Sequence, residues 1–385
     1  MMRIAIALLS LALCARPLAQ PAPRVTLDVE LPSSNGFRID TRSMRGKIAV
    51  GRDGAYYLLL DEVTPARDPA SSAPPRAARV QILAVGADGT VRLRRTLPLR
   101  RAGGFWFEGA AVAIARSGDV AILVFRNSPS PDGIGHRQAM ALLRLAPDFS
   151  LRKTSPIRPP SPAHGRDDPR ARYVINAILP TPDNALLLTG AWGSGPYAWW
   201  MGKFSLDGVR VWQAGAGNGF PEYVRSTVQR SDGSWVNLIT EVPEREEQPF
   251  IRRYTPGGRL LARTRLPYPF HYAGAVLRDG CLLVSDEDKA PRELLFLDDG
   301  GRLRYRTPWP FGETRSIMAH GDGFAALVAG ERDGVFRIVR ADARGAVLWL
   351  GDAAEIEAIV PTPDGQVAAL VTRDDKLRLV RYADP

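Results

Sequence analysis

The stretch PTPDGQVAALVT, residues 361–372, contains the pattern that decides the fold: a tight-turn sequence followed by an apolar strand. Asp-Gly supplies the positive φ angle that hairpin turns require, and the residues after it favour a buried strand. The same combination occurs seven times. The other copies are GRDGAYYLLL (51–60), ARSGDVAILV (115–124), PTPDNALLLTG (180–190), RSDGSWVNLI (230–239), LRDGCLLVS (277–285) and HGDGFAALVAG (320–330).

A second alternating strand with a tight turn follows in nearly every copy. These stretches are RVQILAVGADGTVRL (79–93), ALLRLAPDFSLRK (141–153), WMGKFSLDGVRVW (200–212), FIRRYTPGGRLLA (250–262), LLFLDDGGRLRYR (294–306) and FRIVRADARGAVLWL (336–350). Each unit therefore predicts two hairpins, or four strands. The last four turn aspartates, Asp232, Asp279, Asp322 and Asp364, are about 42 to 47 residues apart, a typical length for one propeller blade. The sequence predicts an all-β fold, a seven-bladed β-propeller of four-stranded antiparallel blades, over residues 24–385.

The two ends of this domain complement each other. The last unit supplies only three strands, EIEAIV, QVAALVT and KLRLVRY. Near the other end, VTLDVEL (25–31) alternates apolar and polar residues and has no hairpin partner nearby. Pairing it with the last unit would remove two exposed sheet edges. We expect this N-terminal strand to complete the seventh blade and close the ring.

The second hairpins also carry a family resemblance. KFSLDGVRVW (203–212) and RADARGAVLW (340–349) resemble the repeats of secreted bacterial β-propellers, including the quinoprotein-like and WD-like groups. The resemblance implies a fold, since such propellers include enzymes, binding modules and scaffolds. Tryptophan stands at the repeat position typical of quinoproteins only in Trp212 and Trp349, and the Trp-Asp dipeptide of WD repeats is absent. We expect no cofactor.

Residues 1–19 are typical of a secretory signal peptide. Arg3 precedes the ten-residue apolar run IAIALLSLAL, and small residues and proline follow it. The run is well below the roughly 20 residues that a transmembrane helix needs, and no later segment comes closer. We predict cleavage after Ala19 and a periplasmic or secreted protein without a transmembrane segment. Leu13 is too bulky for the residue before a lipidated cysteine, which argues against a lipid anchor at Cys14.

The basic charge does not point to nucleic acid. The formal net charge is +10, but only five of the 51 basic residues are lysines, and the arginines are spread without a basic tract. Arginine dominance with abundant Ala, Gly and Pro is typical of a GC-rich genome, so we expect no nucleic-acid partner. After signal removal Cys281 is the single cysteine, which excludes an intramolecular disulfide. The four histidines lack metal-ligand spacing, so we expect no metal site.

The long connections should all lie on one face. Strands of a blade alternate in direction, so the tight turns open on one face and the other connections on the opposite one. Long connections occur only in the second class: 61–78, 127–137, 152–171 and 242–249. Insertions gathered on one face of a repeat array often mark its working face, although proline-rich loops are also tolerated without a function.

The first strand of each blade should begin on that same face, around the mouth of the channel. Counting back from the turns gives the candidate ligand-binding residues Arg45, Glu108, Arg172, Tyr173, Tyr223, His271, Tyr272, Arg315, Glu355 and Glu357. Tyrosines, carboxylates and arginines around one opening can bind a sugar or peptide, and they also occur as structural ion pairs and strand residues. We expect a monomeric, non-enzymatic binding or scaffold module for a protein or glycan. The alternative is a carbohydrate-active hydrolase or lyase that uses Glu108 or Glu355 at the mouth.

Overall fold

The computed structural model describes residues 21–34, 36–41, 44, 46–64, 77–99, 105–129, 136–158, 172–193, 198–215, 222–242, 248–267, 273–285, 292–330 and 332–385. Within these ranges the chain forms twenty-nine β-strands in seven antiparallel sheets, and no residue is helical. The protein is therefore an all-β, seven-bladed β-propeller, as the repeat predicts.

The first four blades follow one another along the chain. Blade 1 contains β2 (Arg38–Ile39), β3 (Ile48–Val50), β4 (Tyr56–Val63), β5 (Ala77–Val85) and β6 (Val91–Thr96). Blade 2 contains β7 (Trp106–Ile114), β8 (Val120–Pro129), β9 (His136–Leu145) and β10 (Leu151–Ile157). Blade 3 contains β11 (Arg172–Pro180), β12 (Ala185–Gly193), β13 (Ala198–Ser205) and β14 (Arg210–Ala214). Blade 4 contains β15 (Glu222–Gln229), β16 (Trp235–Glu241), β17 (Gln248–Tyr254) and β18 (Leu260–Arg265).

The remaining blades complete the ring. Blade 5 contains β19 (Gly274–Leu277), β20 (Gly280–Val284), β21 (Glu293–Leu297) and β22 (Leu303–Pro308). Blade 6 contains β23 (Thr314–His320), β24 (Gly323–Ala329), β25 (Phe336–Ala341) and β26 (Val347–Leu350). Blade 7 contains β27 (Glu355–Pro361), β28 (Val367–Arg373), β29 (Lys376–Ala383) and, as its outermost strand, β1 (Arg24–Glu30).

Ring closure by the N-terminal strand is confirmed. Strand β1 pairs antiparallel with β29, from Arg24 opposite Ala383 to Glu30 opposite Arg378. The Arg378 guanidinium donates to the Asp28 carboxylate at 2.7 Å, across the same pair of strands. The first and last parts of the described chain are thus joined in a single sheet.

The two faces of the ring differ in their connections. One face, the turn face, contains the tight turns after the first strand of each blade and after the third strand of blades 1 to 6. On the opposite face, the loop face, lie the strand ends that the longer connections join. These connections are 64–76, 130–135, 158–171 and 242–247, and most of their residues lie outside the described part of the chain. They are shorter than the sequence predicts because β4, β5, β8, β9, β10 and β17 extend further. Blade 7 differs, since Asp374 and Asp375 with φ of 53° and 58° join β28 to β29 directly.

The hydrophobic core is divided among the blade interfaces. Seven clusters of buried apolar side chains occur among the described residues, and each one joins two neighbouring blades. The tryptophans Trp199 and Trp200 on β13 are almost completely buried, Trp199 between blades 3 and 4 and Trp200 between blades 2 and 3. The cluster between blades 3 and 4 has the fewest buried members among the described residues. Three of its seven members, Trp199, Trp235 and Tyr254, have large aromatic side chains.

A search of the described residues for a helix long and apolar enough to cross a membrane finds none.

Candidate functional site

Seven of the ten predicted ligand-binding residues can be placed. Glu108, Arg172, Tyr173, Tyr223, Arg315, Glu355 and Glu357 lie on the first strands of blades 2, 3, 4, 6 and 7, in the half of each strand nearer the loop face. Arg45, His271 and Tyr272 lie outside the described residues. First strands of neighbouring blades contact one another around the ring, so these residues belong to its inner wall.

Among the described strands, a β-bulge occurs in the first strand of blades 2, 3, 4, 6 and 7. It inserts one extra residue between two that pair with the second strand. The inserted residue lies four residues before the last paired residue of the first strand in blades 2, 3, 4 and 7, and five residues before it in blade 6. The five inserted residues, here called the bulge set, are Ala110, Asn176, Arg225, Arg315 and Glu357. A bulge bends its strand and redirects a side chain, and bulges are frequent at barrel rims and beside functional sites. Four of the five members are polar or charged.

Residues reached by counting back from the turns are not equivalent in every blade. Glu108, Tyr223 and Glu355 lie two residues before the inserted residue, whereas Arg315 is the inserted residue itself. The turn of blade 6 has two residues between the paired strand ends, against five in blades 2, 4 and 7, so counting back from it reaches a different register. Counting back from the turns does not single out Asn176 and Arg225, because an inserted residue has no local signature in one sequence. A comparison of first-strand lengths between blades is the signal that could have indicated the insertions.

The two described tyrosines have different surroundings. Tyr173 packs into the core between blades 2 and 3, with its ring 6.3 Å from that of Trp192, and burial raises the pKa of its hydroxyl. The Tyr223 ring instead lies 5.3 Å from the Arg225 guanidinium, in a cation–π arrangement. Tyr173 is therefore mainly a packing residue, while Tyr223 and Arg225 form a polar pair near the loop face.

A mixed-charge group lies where blades 6, 7 and 1 meet. The Arg315 guanidinium stacks 4.8 Å above the Phe336 ring. Burial raises the pKa of the Glu357 carboxyl, and the positive charge of Arg315 opposes that shift. Thr372 donates a hydrogen bond to Glu357 Oε1 at 3.4 Å. The negative charges of Glu355 and Asp40 raise the pKa of the Glu357 carboxyl further. Glu357 is thus more readily protonated than an exposed glutamate, beside the exposed Glu355.

Glu108 lies beside a buried ion pair. Lys47 Nζ donates to Asp61 Oδ2 at 2.7 Å, and the Gly109 amide donates to Asp61 Oδ1 at 2.9 Å. Burial raises the pKa of Asp61, and Lys47 opposes this. The Trp106 indole N–H donates to Glu108 Oε1 at 3.1 Å. Glu108 is in blade 2 and Glu355 in blade 7, with blade 1 between them, so the two carboxyl groups named for the enzymatic alternative come from blades that are not adjacent.

The remaining site features are simple. Arg172 is half-buried at the first residue of β11, opposite Gly193 of β12. Among the described residues, no three or more His, Cys, Asp or Glu side chains are grouped as metal ligands.

Comparison with known proteins extends to the fold only. No protein-family model and no curated protein sequence matches the chain. The β-propeller domain of the Trilobed protease from Pyrococcus furiosus superposes with a TM-score of 0.52 at 10% identity, over 90% of this chain and 96% of that one. U3-55K gives 0.51 at 10% identity, over 92% and 100%, and the Dos1 propeller 0.50 at 8%, over 90% and 95%. The Pyrococcus domain is described as having an open velcro topology, whereas β1 closes the ring here.

Proposed function

We propose that the protein is an exported binding module that engages a protein or glycan partner through its loop face. The observation that carries this proposal is the bulge set, which brings Asn176, Arg225, Arg315 and Glu357 from four blades to the inner wall. The long connections leave the blades on the same face. A partner that covered this face would meet both groups of residues.

The chemistry of the bulge set suits polar recognition. Arginine donates up to five hydrogen bonds and stacks on planar groups, and both Arg225 and Arg315 are already held against aromatic rings. Fixing these side chains before binding lowers the entropy cost of ordering them in a complex. Opposite charges at Arg315 and Glu357 favour a partner that presents both donors and acceptors.

Export is part of the proposal and rests on the N-terminal sequence. Residues 1–19 have the charged start, short apolar run and small-residue end of a signal peptide, although they lie outside the described residues. Cell fractionation tests this part directly. Mature protein in the periplasm or medium, shorter by about the signal length, supports export, and full-length protein retained in the cytoplasm contradicts it.

Site-specific crosslinking tests the loop face. Arg315 is replaced by the photo-crosslinking residue p-benzoylphenylalanine in the producing cell, and adducts are identified by mass spectrometry. Arg344 is the matched control, an exposed arginine of the same blade in the turn between β25 and β26 on the turn face. We expect a discrete adduct from position 315 and none from position 344. Equal adducts from both positions, or none from position 315, would argue against the loop face as the binding surface.

One observation favours the alternative of a glycan-cleaving enzyme. The pKa of Glu357 is raised by burial, while Glu355 nearby is exposed. Glycosidases use a pair of carboxyl groups, and the pKa of the general acid is commonly raised by burial. If purified protein cleaves a glycan and both Glu357→Gln and Glu355→Gln abolish the cleavage, this alternative replaces the binding module.

A further inference from the structure

The interface between blades 3 and 4 contains a cleft of about 570 Å³. Small-molecule sites usually enclose about 300–1,000 Å³. The cleft extends from the innermost strand of blade 4, at Glu222, to its outermost strand, at Leu260. Trp199 and Gly215 line the side formed by blade 3. This is also the interface with the smallest apolar cluster among the described residues. Space and polar groups therefore replace apolar packing at one position of the ring.

A connected set of charged side chains, most of them buried, lies along this cleft. Arg252 Nη2 donates to Glu222 Oε1 at 2.6 Å and also donates to Glu241 Oε1. Arg263 reaches Glu241 from the outermost strand, with Nη2 2.6 Å from Oε2. The exposed fraction is 1% for Glu222 and 5% for Arg252. The two carboxylates and two guanidinium groups sum to zero charge.

Two polar atoms of this set lack partners. Glu222 Oε2 and Arg252 Nε are buried, and neither has a hydrogen-bond partner among the residues that the structure describes. Leaving a buried charged group partly unsatisfied is costly, so such atoms need an explanation. Both residues line the cleft, where Glu222 offers an acceptor and Arg252 a donor. A ligand that supplies one donor and one acceptor close together would satisfy both.

Blade 1 contains a related arrangement in which a hydroxyl joins the equivalents of Glu241 and Arg263. Glu62 and Arg94 occupy the repeat positions of those two residues, as the strand registers show. There Ser34 Oγ donates to Glu62 Oε2 at 2.8 Å and accepts from Arg94 Nη2 at 2.9 Å. A hydroxyl therefore serves as a bridge between a buried carboxylate and a guanidinium in this fold.

We propose that the cleft between blades 3 and 4 binds a neutral, hydroxyl-rich ligand of one or two sugar units. One hydroxyl donates to Glu222 Oε2, and a hydroxyl beside it accepts from Arg252 Nε. A ligand carboxylate would approach two carboxylates that already share Arg252, and a ligand cation would be repelled by the same guanidinium. A hydroxyl carries neither penalty. This site differs from the channel mouth, so its failure leaves the loop-face proposal standing.

The cleft can be closed from outside without altering the core. Leu260 lines it and is 48% exposed, whereas its neighbour Leu261 is 50% exposed and does not line it. Leu260→Trp therefore fills the entrance, and Leu261→Trp is the matched control with the same change in size. Glu222→Gln replaces the charged acceptor with a neutral group of the same shape.

Saturation-transfer NMR on the full mature protein tests the proposal with a panel of neutral mono- and disaccharides, and with glucosamine and glucuronate as charged analogues of glucose. We expect a neutral sugar to bind wild type and Leu261→Trp, to lose binding in Leu260→Trp, and to bind about tenfold more weakly to Glu222→Gln. Arg344→Ala, at an exposed arginine of the turn face, should leave this binding unchanged. The proposal is overturned if no neutral sugar binds, if Leu260→Trp binds as wild type does, or if a charged analogue binds more tightly than glucose.

Discussion

Burial determines the direction of the pKa shift for Cys281 and Glu357. Cys281 on β20 is almost fully enclosed at the interface of blades 4 and 5, and burial raises the pKa of its thiol to about 12. Glu357 is half-buried, and burial raises its pKa more than the positive charge of Arg315 lowers it. The charged form is disfavoured in both cases because the surroundings replace water. The reactivity of the Cys281 thiol and the pH dependence of stability at Glu357 therefore test whether each side chain is buried as described.

The Cys281 thiol should be unreactive in the folded protein. Only the thiolate attacks alkylating reagents, and a pKa of about 12 leaves almost none of it at neutral pH. We expect no labelling by iodoacetamide at pH 8 in native mature protein, and complete labelling in guanidinium chloride. Rapid labelling of native protein, at the rate of the unfolded chain, would show that Cys281 is not buried.

Glu357 should affect stability with a definite sign. Because its pKa is higher in the folded state than its ordinary value of 4.5, its contribution favours folding below that value and is lost as pH rises through the folded pKa. Glu357→Gln cannot ionise and keeps the shape. We expect the free energy of unfolding of the variant, relative to wild type, to increase between about pH 4 and pH 7. Urea titrations at both pH values measure it, and an unchanged difference would refute the assignment.

The same arrangement of an ion pair occurs in blades 1, 4 and 7. An ion pair joins the second strand of a blade to the fourth strand, across the third: Glu62 with Arg94 in blade 1, and Glu241 with Arg263 in blade 4. In blade 7 the charges are reversed, since Arg373 on β28 lies 3.7 Å from Asp28 on β1. These ion pairs occupy equivalent positions in their blades, but their side chains differ in burial. Glu62 is fully buried, whereas more than half of the Arg373 side chain is exposed.

The buried ion pair of blade 1 and the exposed ion pair of blade 7 should contribute differently to the free energy of unfolding. Arg94→Met leaves the buried Glu62 without its charged partner, and we expect a loss of about 2–3 kcal/mol in the free energy of unfolding. Arg373→Met removes an exposed pair and should cost less than about 1 kcal/mol. Chemical denaturation of both variants gives the comparison. Equal losses would mean that burial does not set the strength of these pairs.

The architecture of the ring is the feature that the sequence predicts best. Turn sequences such as Asp364-Gly365 and the alternating strand at Val25–Leu31 are local signals, and they were sufficient for blade number, strand order and closure. The candidate site was less accessible. The bulges that select Asn176 and Arg225 insert a residue without a local signature. The cleft at Glu222 depends on how blades 3 and 4 pack. Contacts between residues that are distant in sequence cannot be predicted from any short segment of the chain.

The central claim is that β1 closes the ring and so arranges the inner strands around one opening. The decisive measurement is the melting temperature of a chain that begins at Ser33, compared with one that begins at Arg24 and keeps β1. Loss of β1 exposes Leu27 and the edge of β29, so we predict a decrease of at least about 10 °C. Equal melting temperatures for the two chains would contradict closure by the N-terminal strand.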